Sequence, residues 1–180
     1  MIARAGLILA LSLLALGARA QGGAPAAAAP YATRYVLELE GGLELGYARR
    51  GDFDVLFAPA VRYFITDGLA VGGSLRVGGA TAGYAIFQMV PGLEYSFTLG
   101  TKVFPYAGGG IGFNYMSFSA TTVFGTVSAS MTDFLLDLSG GVKFVLTPHL
   151  LVAAGLDLPL VFGDGTAFFF NVTGRLAYFF

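Results

Sequence analysis

The sequence is 180 residues long, and 56% of the residues are hydrophobic whereas only 12% are charged. This composition is too apolar for an ordinary soluble domain, and a formal net charge of −1 gives no indication of nucleic-acid binding. The absence of cysteine excludes a disulfide framework and a thiolate metal site.

The first 33 residues have the pattern of a processing signal followed by a linker. Arg4 supplies a positive charge, an apolar leucine-rich run follows, and Ala18-Arg19-Ala20 places small residues where a signal peptidase cleaves. We therefore predict a signal peptide over residues 1–20, with a membrane anchor as the alternative interpretation. Residues 21–33 are rich in Gly, Ala and Pro and carry no charge, which predicts a flexible linker.

Residues 34–180 form one domain in which hydrophobicity alternates residue by residue. No window of about 20 residues is free of charges and helix breakers, as a membrane helix requires. The other structure that satisfies every backbone group in lipid is a closed barrel. We therefore predict an all-β fold, an eight-stranded antiparallel up-and-down transmembrane β-barrel. In its first strand Tyr35 and Tyr47 share one face with leucines, and Glu38, Glu40 and Glu44 share the other.

The same alternation predicts seven further strands, at residues 54–63, 69–77, 87–97, 102–115, 133–144, 152–162 and 168–180. Every charge within these strands falls on the face opposite the lipid. A lysine or arginine on the lipid face would cost about 2–4 kcal/mol at the membrane midplane, which explains this exclusion. On the lipid face the interfacial aromatic residues are predicted to be Tyr35, Tyr47, Tyr63 and Tyr95.

The connections between the strands predict the orientation of the barrel. Tight turns at residues 65–68, 98–101 and 146–149 are expected in the periplasm, and longer loops outside the cell. An even strand count then places both termini in the periplasm. The longest loop, residues 116–127, carries Phe118 and Phe124 among Ser and Thr and is predicted to contact a surface partner.

Several segments of the chain are similar to those of a known protein family. Phe180 ends an alternating last strand and shares a face with Tyr178, and the segments 62–68 and 105–110 have the residues RYFITDG and PYAGGG. On these features residues 34–180 resemble the small eight-stranded outer-membrane barrels, namely the OmpA transmembrane domain, OmpX and OmpW. The resemblance implies a protein of the outer membrane. It also implies that Tyr178 and Phe180 form the signal read by the barrel-assembly machinery.

The charges on the inward faces predict a network inside the barrel. Eight strands leave a lumen just wide enough to be filled by side chains, and charges buried there must be paired. We predict a lumen charge network of Glu38, Glu40, Arg62, Arg76, Glu94, Asp137, Lys143, Asp157 and Arg175. Within it Arg62, Arg76 and Arg175 are expected to pair with some of Glu38, Glu40, Glu94 and Asp137. Arg34 and Lys102 are also expected to face inward. The nearly balanced signs favour a closed, salt-bridged core over an ion pore of single sign.

Nothing in the sequence predicts a catalytic, cofactor-binding or metal site. The single histidine, His149, falls in a predicted turn after Pro148, where an exposed residue without a chemical role is expected. We therefore predict a non-enzymatic barrel with a structural or surface-interaction role. The alternative is a narrow channel for small or hydrophobic solutes, similar to OmpW. A soluble ligand-binding barrel would require the opposite polarity, with apolar residues inside and charges outside.

Overall fold

The computed structural model describes residues 31–47, 53–80, 83–100, 102–122, 125–163 and 166–180. The predicted signal peptide lies outside these residues. Ten strand segments are present in the described chain: β1 (Leu37–Tyr47), β2 (Phe53–Phe57), β3 (Ala60–Phe64), β4 (Leu69–Ala80), β5 (Tyr84–Ser96), β6 (Val103–Thr122), β7 (Gly125–Thr147), β8 (Leu150–Phe162), β9 (Thr166–Phe168) and β10 (Phe170–Phe179).

The ten segments form a closed ring of eight antiparallel barrel strands. β2 and β3 are one barrel strand interrupted at Ala58 and Pro59, because both pair with β1 on one side and β4 on the other. β9 and β10 are likewise one strand interrupted at Phe169, and both pair with β8. Pairing of β10 with β1 closes the ring. The predicted all-β, eight-stranded up-and-down barrel is therefore confirmed.

The alternation of the sequence becomes the two faces of the barrel wall. Along β1 the glutamates Glu38, Glu40 and Glu44 are buried in the lumen, and the leucines between them are exposed on the outside. The outside is a continuous apolar surface, and the lumen contains the charged side chains. Tyr35, Tyr47, Tyr63 and Tyr95 are all exposed on the outer surface. The described residues contain no helix long and apolar enough to cross a membrane.

The two ends of the barrel differ, and we name them by what they contain. The terminus end holds the start of β1, the end of β10 and the turns at residues 65–68 and 147–150. The hairpin end holds the connection between β6 and β7, which continue to pair as far as Thr122 and Gly125. The predicted loop at residues 116–127 is therefore wrong in its extent. Its residues from 116 to 122 and from 125 to 127 belong to strands, and Phe124 lies outside the described residues.

The structure also corrects three boundaries at the terminus end. The predicted linker was expected to reach residue 33, but Tyr31 and Ala32 are buried inside the barrel. Arg34 lies before the first strand and is exposed, so its guanidinium group is over the ring of Tyr35 rather than in the lumen. Lys102 is exposed in the turn before β6. Arg34 and Lys102 were placed inward by extending a strand alternation past the point where the strand ends, whereas Tyr31 and Ala32 were assigned to the linker by composition.

Inward-facing glycines allow neighbouring strands to approach closely. A Cβ atom at Gly112 would collide with the carbonyl oxygen of Met89 on β5, and one at Gly72 would collide with the carbonyl oxygen of Val61. The outward-facing Gly41 has no such contact. The lumen-side glycines therefore permit the strong curvature that a narrow barrel requires.

Candidate functional site

Inside the barrel, the charge cluster nearest the terminus end is centred on Lys143. Its ammonium group lies 2.8 Å from Glu38, 3.3 Å from Glu40 and 2.6 Å from Glu94. Arg62 binds Glu40 and lies 2.8 Å from Glu94, so it shares two of the three carboxylates with Lys143. All five side chains are nearly excluded from solvent. Two strands, β1 and β5, thus contribute carboxylates to two cations from two other strands, β3 and β7.

A second cluster, nearer the hairpin end, is centred on Arg76. Its guanidinium group lies 2.9 Å from Glu44, 2.9 Å from Asp137 and 3.7 Å from Asp157. Arg175 connects the two clusters, since it binds both oxygens of Asp157 at 3.1 Å and lies 3.5 Å from Glu40. The ion pairs form one network along the barrel axis.

Among the residues that the structure describes, the network contains four cations and six carboxylates, and all nine residues predicted for it lie within it. Glu44 is the additional member. The alternation places Glu44 on the inward face, but only the packed lumen shows that its carboxylate reaches Arg76. Among the predicted pairs, Arg62 contacts Glu40 and Glu94, Arg76 contacts Asp137, and Arg175 contacts Glu40. Burying ionised groups is tolerated only where each has partners of opposite charge, which the network supplies.

A small polar hollow lies beside the network. Its volume is about 40 Å³, and its lining includes Arg62, Glu94, Asp137 and Ser139 together with lumen-side glycines. A hollow of this volume can hold about three water molecules, because a single water requires about 10–15 Å³. The hollow is much smaller than the 300–1,000 Å³ or so that is typical of a ligand pocket.

Below the network, the terminus end of the lumen is filled by the side chain of Tyr31. Its ring packs edge-on against Phe64, Phe104 and Phe179 with centroid distances of 4.9–5.5 Å. Its hydroxyl group donates a hydrogen bond of 2.7 Å to Glu38. Tyr31 is only 2% exposed, so the segment before β1 folds back into the barrel. We refer to Tyr31 and Ala32 as the N-terminal plug.

Backbone contacts hold the N-terminal plug in place. The amide of Gly68 donates to the carbonyl of Ala32 at 2.8 Å, and the amide of Tyr35 donates to Phe64 at 2.8 Å. Both Ala32 and Tyr35 adopt the left-handed backbone region, with φ of 59° and 75°. Such values are uncommon for residues with a side chain and occur where surrounding contacts require a sharp turn. The sequence did not indicate this plug, and Tyr31 directly after a proline in an apolar linker was the one aromatic signal that could have suggested it.

The remaining predicted residues lie at the terminus end of the outer wall. Tyr178 and Phe180 are exposed on the lipid face, and Phe180 pairs through its backbone with Leu37. His149 is exposed in its turn, where a ring nitrogen lies 3.0 Å from the carbonyl of Phe179 and the ring stacks on Tyr178. Among the described residues there is no group of three or more His, Asp and Glu arranged to hold a metal ion.

Comparison with known proteins identifies the fold. The N-terminal β-barrel domain of OprF from Pseudomonas aeruginosa is similar, with a TM-score of 0.63, 17% identity, and coverage of 82% of this chain and 98% of that one. Ail, the attachment invasion locus protein of Yersinia pestis, has a TM-score of 0.55 at 14% identity, with coverage of 82% and 100%. The outer membrane enzyme PagL has a TM-score of 0.56 at 13% identity, with coverage of 77% and 97%.

No family model and no curated protein sequence matches the chain. The likeness is therefore one of fold, and it places the chain among transmembrane β-barrels of the small outer-membrane type.

Proposed function

We propose that this transmembrane β-barrel is a non-enzymatic outer-membrane protein with a closed lumen and a structural or surface-interaction role. The observation that carries the proposal is the charge network, in which Arg76, Lys143 and Arg175 are each held by carboxylates from other strands. An ion crossing the lumen would have to break several buried ion pairs. Removing one partner of such a pair costs about 3–5 kcal/mol, so the closed state is strongly favoured.

The N-terminal plug supports the same proposal from a second position along the axis. Tyr31 fills the lumen between three aromatic rings and hydrogen-bonds Glu38, so the terminus end is filled directly below the charge network. A barrel blocked by a charge network and by an aromatic plug has little space for a solute. Its interior thus acts as a structural core, and contact with other molecules falls to its exposed ends.

The hairpin end supports a role in surface interaction. Beyond the barrel wall β6 and β7 continue as a ribbon whose side chains from Gly125 to Thr132 are exposed. With both termini in the periplasm, as the turn lengths predict, this ribbon projects from the cell. Ail, which shares the fold, has been observed in complex with the heparin analogue sucrose octasulfate. That precedent shows that a barrel of this fold can bind a sulfated ligand.

The remaining partners belong to the proposal as well. The apolar outer wall would contact outer-membrane lipid, and the exposed pair Tyr178 and Phe180 would be recognised by the barrel-assembly machinery during insertion. PagL shows that the fold can support an enzyme. Here the one histidine of the sequence, His149, contacts the Phe179 carbonyl and the Tyr178 ring, which supports a structural use of that side chain.

Single-molecule conductance in planar bilayers tests the closed lumen. The protein is folded in detergent, its fold is checked by heat-dependent gel mobility, and current is recorded at neutral pH. We expect no discrete conductance steps from the folded barrel. A matched variant, Lys102→Met, changes an exposed charge outside the network and should be equally silent. Reproducible steps from the parent protein would contradict the closed lumen.

A second candidate function, a conduit for hydrophobic solutes, is favoured by one feature of the outer wall. An apolar hollow of about 510 Å³ lies where Pro59 interrupts a strand, with Pro91 and Leu75 also in its lining. Glu40 lies at its inner side, so the hollow touches the charge network. Uptake of a hydrophobic fluorescent probe into protein-containing vesicles, compared with empty vesicles, distinguishes a conduit from a closed barrel.

A further inference from the structure

The ribbon at the hairpin end has a free edge along β7. β7 pairs with β8 only from Phe134 onward, whereas its pairing with β6 begins at Gly125. From Val127 to Asp133, no described strand pairs with β7 on the β8 side. Side chains along this edge are exposed, with Val127 at 61% and Met131 at 45%.

The hydrogen-bond register shows which backbone groups face the free edge. The amide of Val145 donates to the carbonyl of Lys102, so odd-numbered residues of β7 direct their backbone groups toward β6. In an antiparallel sheet, successive residues of a strand direct their backbone amide and carbonyl groups alternately toward the neighbouring strand on one side and on the other. Ser128, Ser130 and Thr132 therefore direct their amide and carbonyl groups away from β6, toward the free edge. These are the groups that an added strand would bind.

The sequence of this edge is symmetric about Ala129. Ser128 and Ser130 flank it, Val127 and Met131 follow on either side, and Thr126 and Thr132 complete the segment TVSASMT. When two copies of this segment align antiparallel about Ala129, serine lies opposite serine. Val127 then lies opposite Met131 of the other copy. Like-with-like pairs of this kind, apolar with apolar and hydroxyl with hydroxyl, stabilise neighbouring strands.

We propose that the free edge of β7 is a homotypic docking site, at which two copies of this chain pair antiparallel about Ala129. The pairing joins two ribbons into one four-stranded sheet with two-fold symmetry, an isologous contact. Ser128 of one copy and Ser130 of the other form hydrogen-bonded pairs, and the two Ala129 residues form the non-hydrogen-bonded pair between them. This inference rests on the proposed surface role and names its partner.

The unprotected character of the edge favours this occupant. Natural edge strands are blunted by charged residues, proline or bulges that prevent pairing with another chain. Between Asn114 and Asp133 the sequence has no charged residue and no proline. A polyanion or a charged peptide would find no complementary charge here, whereas a second copy of the same segment meets a matching side chain at each position from Val127 to Met131.

The antiparallel direction determines how the two barrels are arranged. β7 runs from the hairpin end toward its own membrane, and barrel strands are inclined by about 35–45° to the membrane normal. Two copies in one membrane would run their β7 strands the same way relative to that normal. Antiparallel pairing therefore places the two barrels in opposing membranes with their hairpin ends facing each other. The docking site thus acts as a contact between two membrane surfaces.

Single cysteines test the register, because the chain has no cysteine of its own. In Ala129→Cys the two thiols lie across a non-hydrogen-bonded pair with Cα atoms about 4.5 Å apart, within reach of a disulfide. Mild oxidation should convert this folded variant to a dimer. In Val127→Cys the two thiols lie about 13 Å apart, four residues along the strand, so this variant should remain monomeric. Mixing Val127→Cys with Met131→Cys should produce mixed dimers.

Vesicles test the arrangement of the membranes. Two populations carrying the parent protein and different fluorophores should co-sediment, and Ala129→Cys should cross-link between the populations. A monomeric Ala129→Cys, or a Val127→Cys that cross-links as readily, would overturn the register. Cross-links confined to one vesicle population would overturn the opposing-membrane arrangement. A failure of the cross-linking tests would not contradict the proposed closed lumen, because the conductance of the single barrel tests that proposal separately.

Discussion

Replacing Arg76 with methionine removes the cation at the centre of the second charge cluster. Arg76 is 1% exposed and binds Glu44 and Asp137 at 2.9 Å. Without it, Asp137 has no other ion-pair partner among the described residues, and Glu44 keeps only an amide hydrogen bond from Asn171. Because a buried charge without its partner is costly, we expect the free energy of unfolding to fall by about 3–5 kcal/mol.

A combined variant separates the contribution of the ion pairs to stability from the contribution of side-chain packing. Arg76→Met with Glu44→Gln and Asp137→Asn removes all three charges, so no carboxylate is left unpaired. We expect this triple variant to regain most of the stability lost by Arg76→Met, because neutral groups of similar size tolerate burial far better than isolated ions. As a control, Lys102→Met removes an exposed charge and should change stability by less than about 1 kcal/mol.

The assay is urea unfolding of the folded barrel in lipid vesicles. Circular dichroism of the β-structure and heat-dependent gel mobility serve as the two signals, since the sequence has no tryptophan for fluorescence. We expect the parent protein to be the most stable, the triple variant to be intermediate and Arg76→Met to be the least stable. An Arg76→Met protein that unfolds at the same urea concentration as Lys102→Met would refute the idea that the lumen charges form an interdependent network.

Two further predictions concern the plug and the barrel wall. Tyr31→Ala should lower the free energy of unfolding by about 3–5 kcal/mol, as expected for loss of a large buried aromatic side chain. Tyr31→Phe should lower it by about 1.5–3 kcal/mol through loss of the bond to Glu38, and an equal loss in both variants would contradict the packing role. Gly112→Ala should cost about 1–3 kcal/mol because its methyl group meets the Met89 carbonyl. Gly41→Ala has free space and should be neutral, so equal unfolding midpoints for the two glycine variants would disprove the close-approach argument.

The barrel itself could be predicted from the sequence because the bilayer acts on each residue separately. A charge is excluded from the lipid face wherever it occurs along a strand, so alternation appears in the sequence without knowledge of any partner strand. The inward placement of Glu38, Arg76 and Asp157 follows from this rule alone, and the structure buries all three. The same rule is silent where no lipid is present, which is why the extent of β6 and β7 beyond the membrane was missed.

Which charges pair was decided by the tertiary structure. Arg76 and Asp137 are 61 residues apart, and Lys143 and Glu38 are 105 residues apart. Their contacts depend on the stagger of strands around the ring, which sets which inward residues share a level along the axis. Alternation determines the face of each residue but not its height relative to residues on distant strands.

The sequence by itself therefore determined the fold class, the strand count and the set of residues that face the lumen. These features have a common cause, the difference in polarity between lipid and lumen. Residues along a strand face the two environments alternately, so the difference is visible in the sequence itself. Only the tertiary structure decided the ion-pair partners, the insertion of Tyr31 into the lumen and the free edge of β7. These features depend on how far each strand extends and which strand lies beside it, and both arise from closure of the whole ring rather than from local alternation.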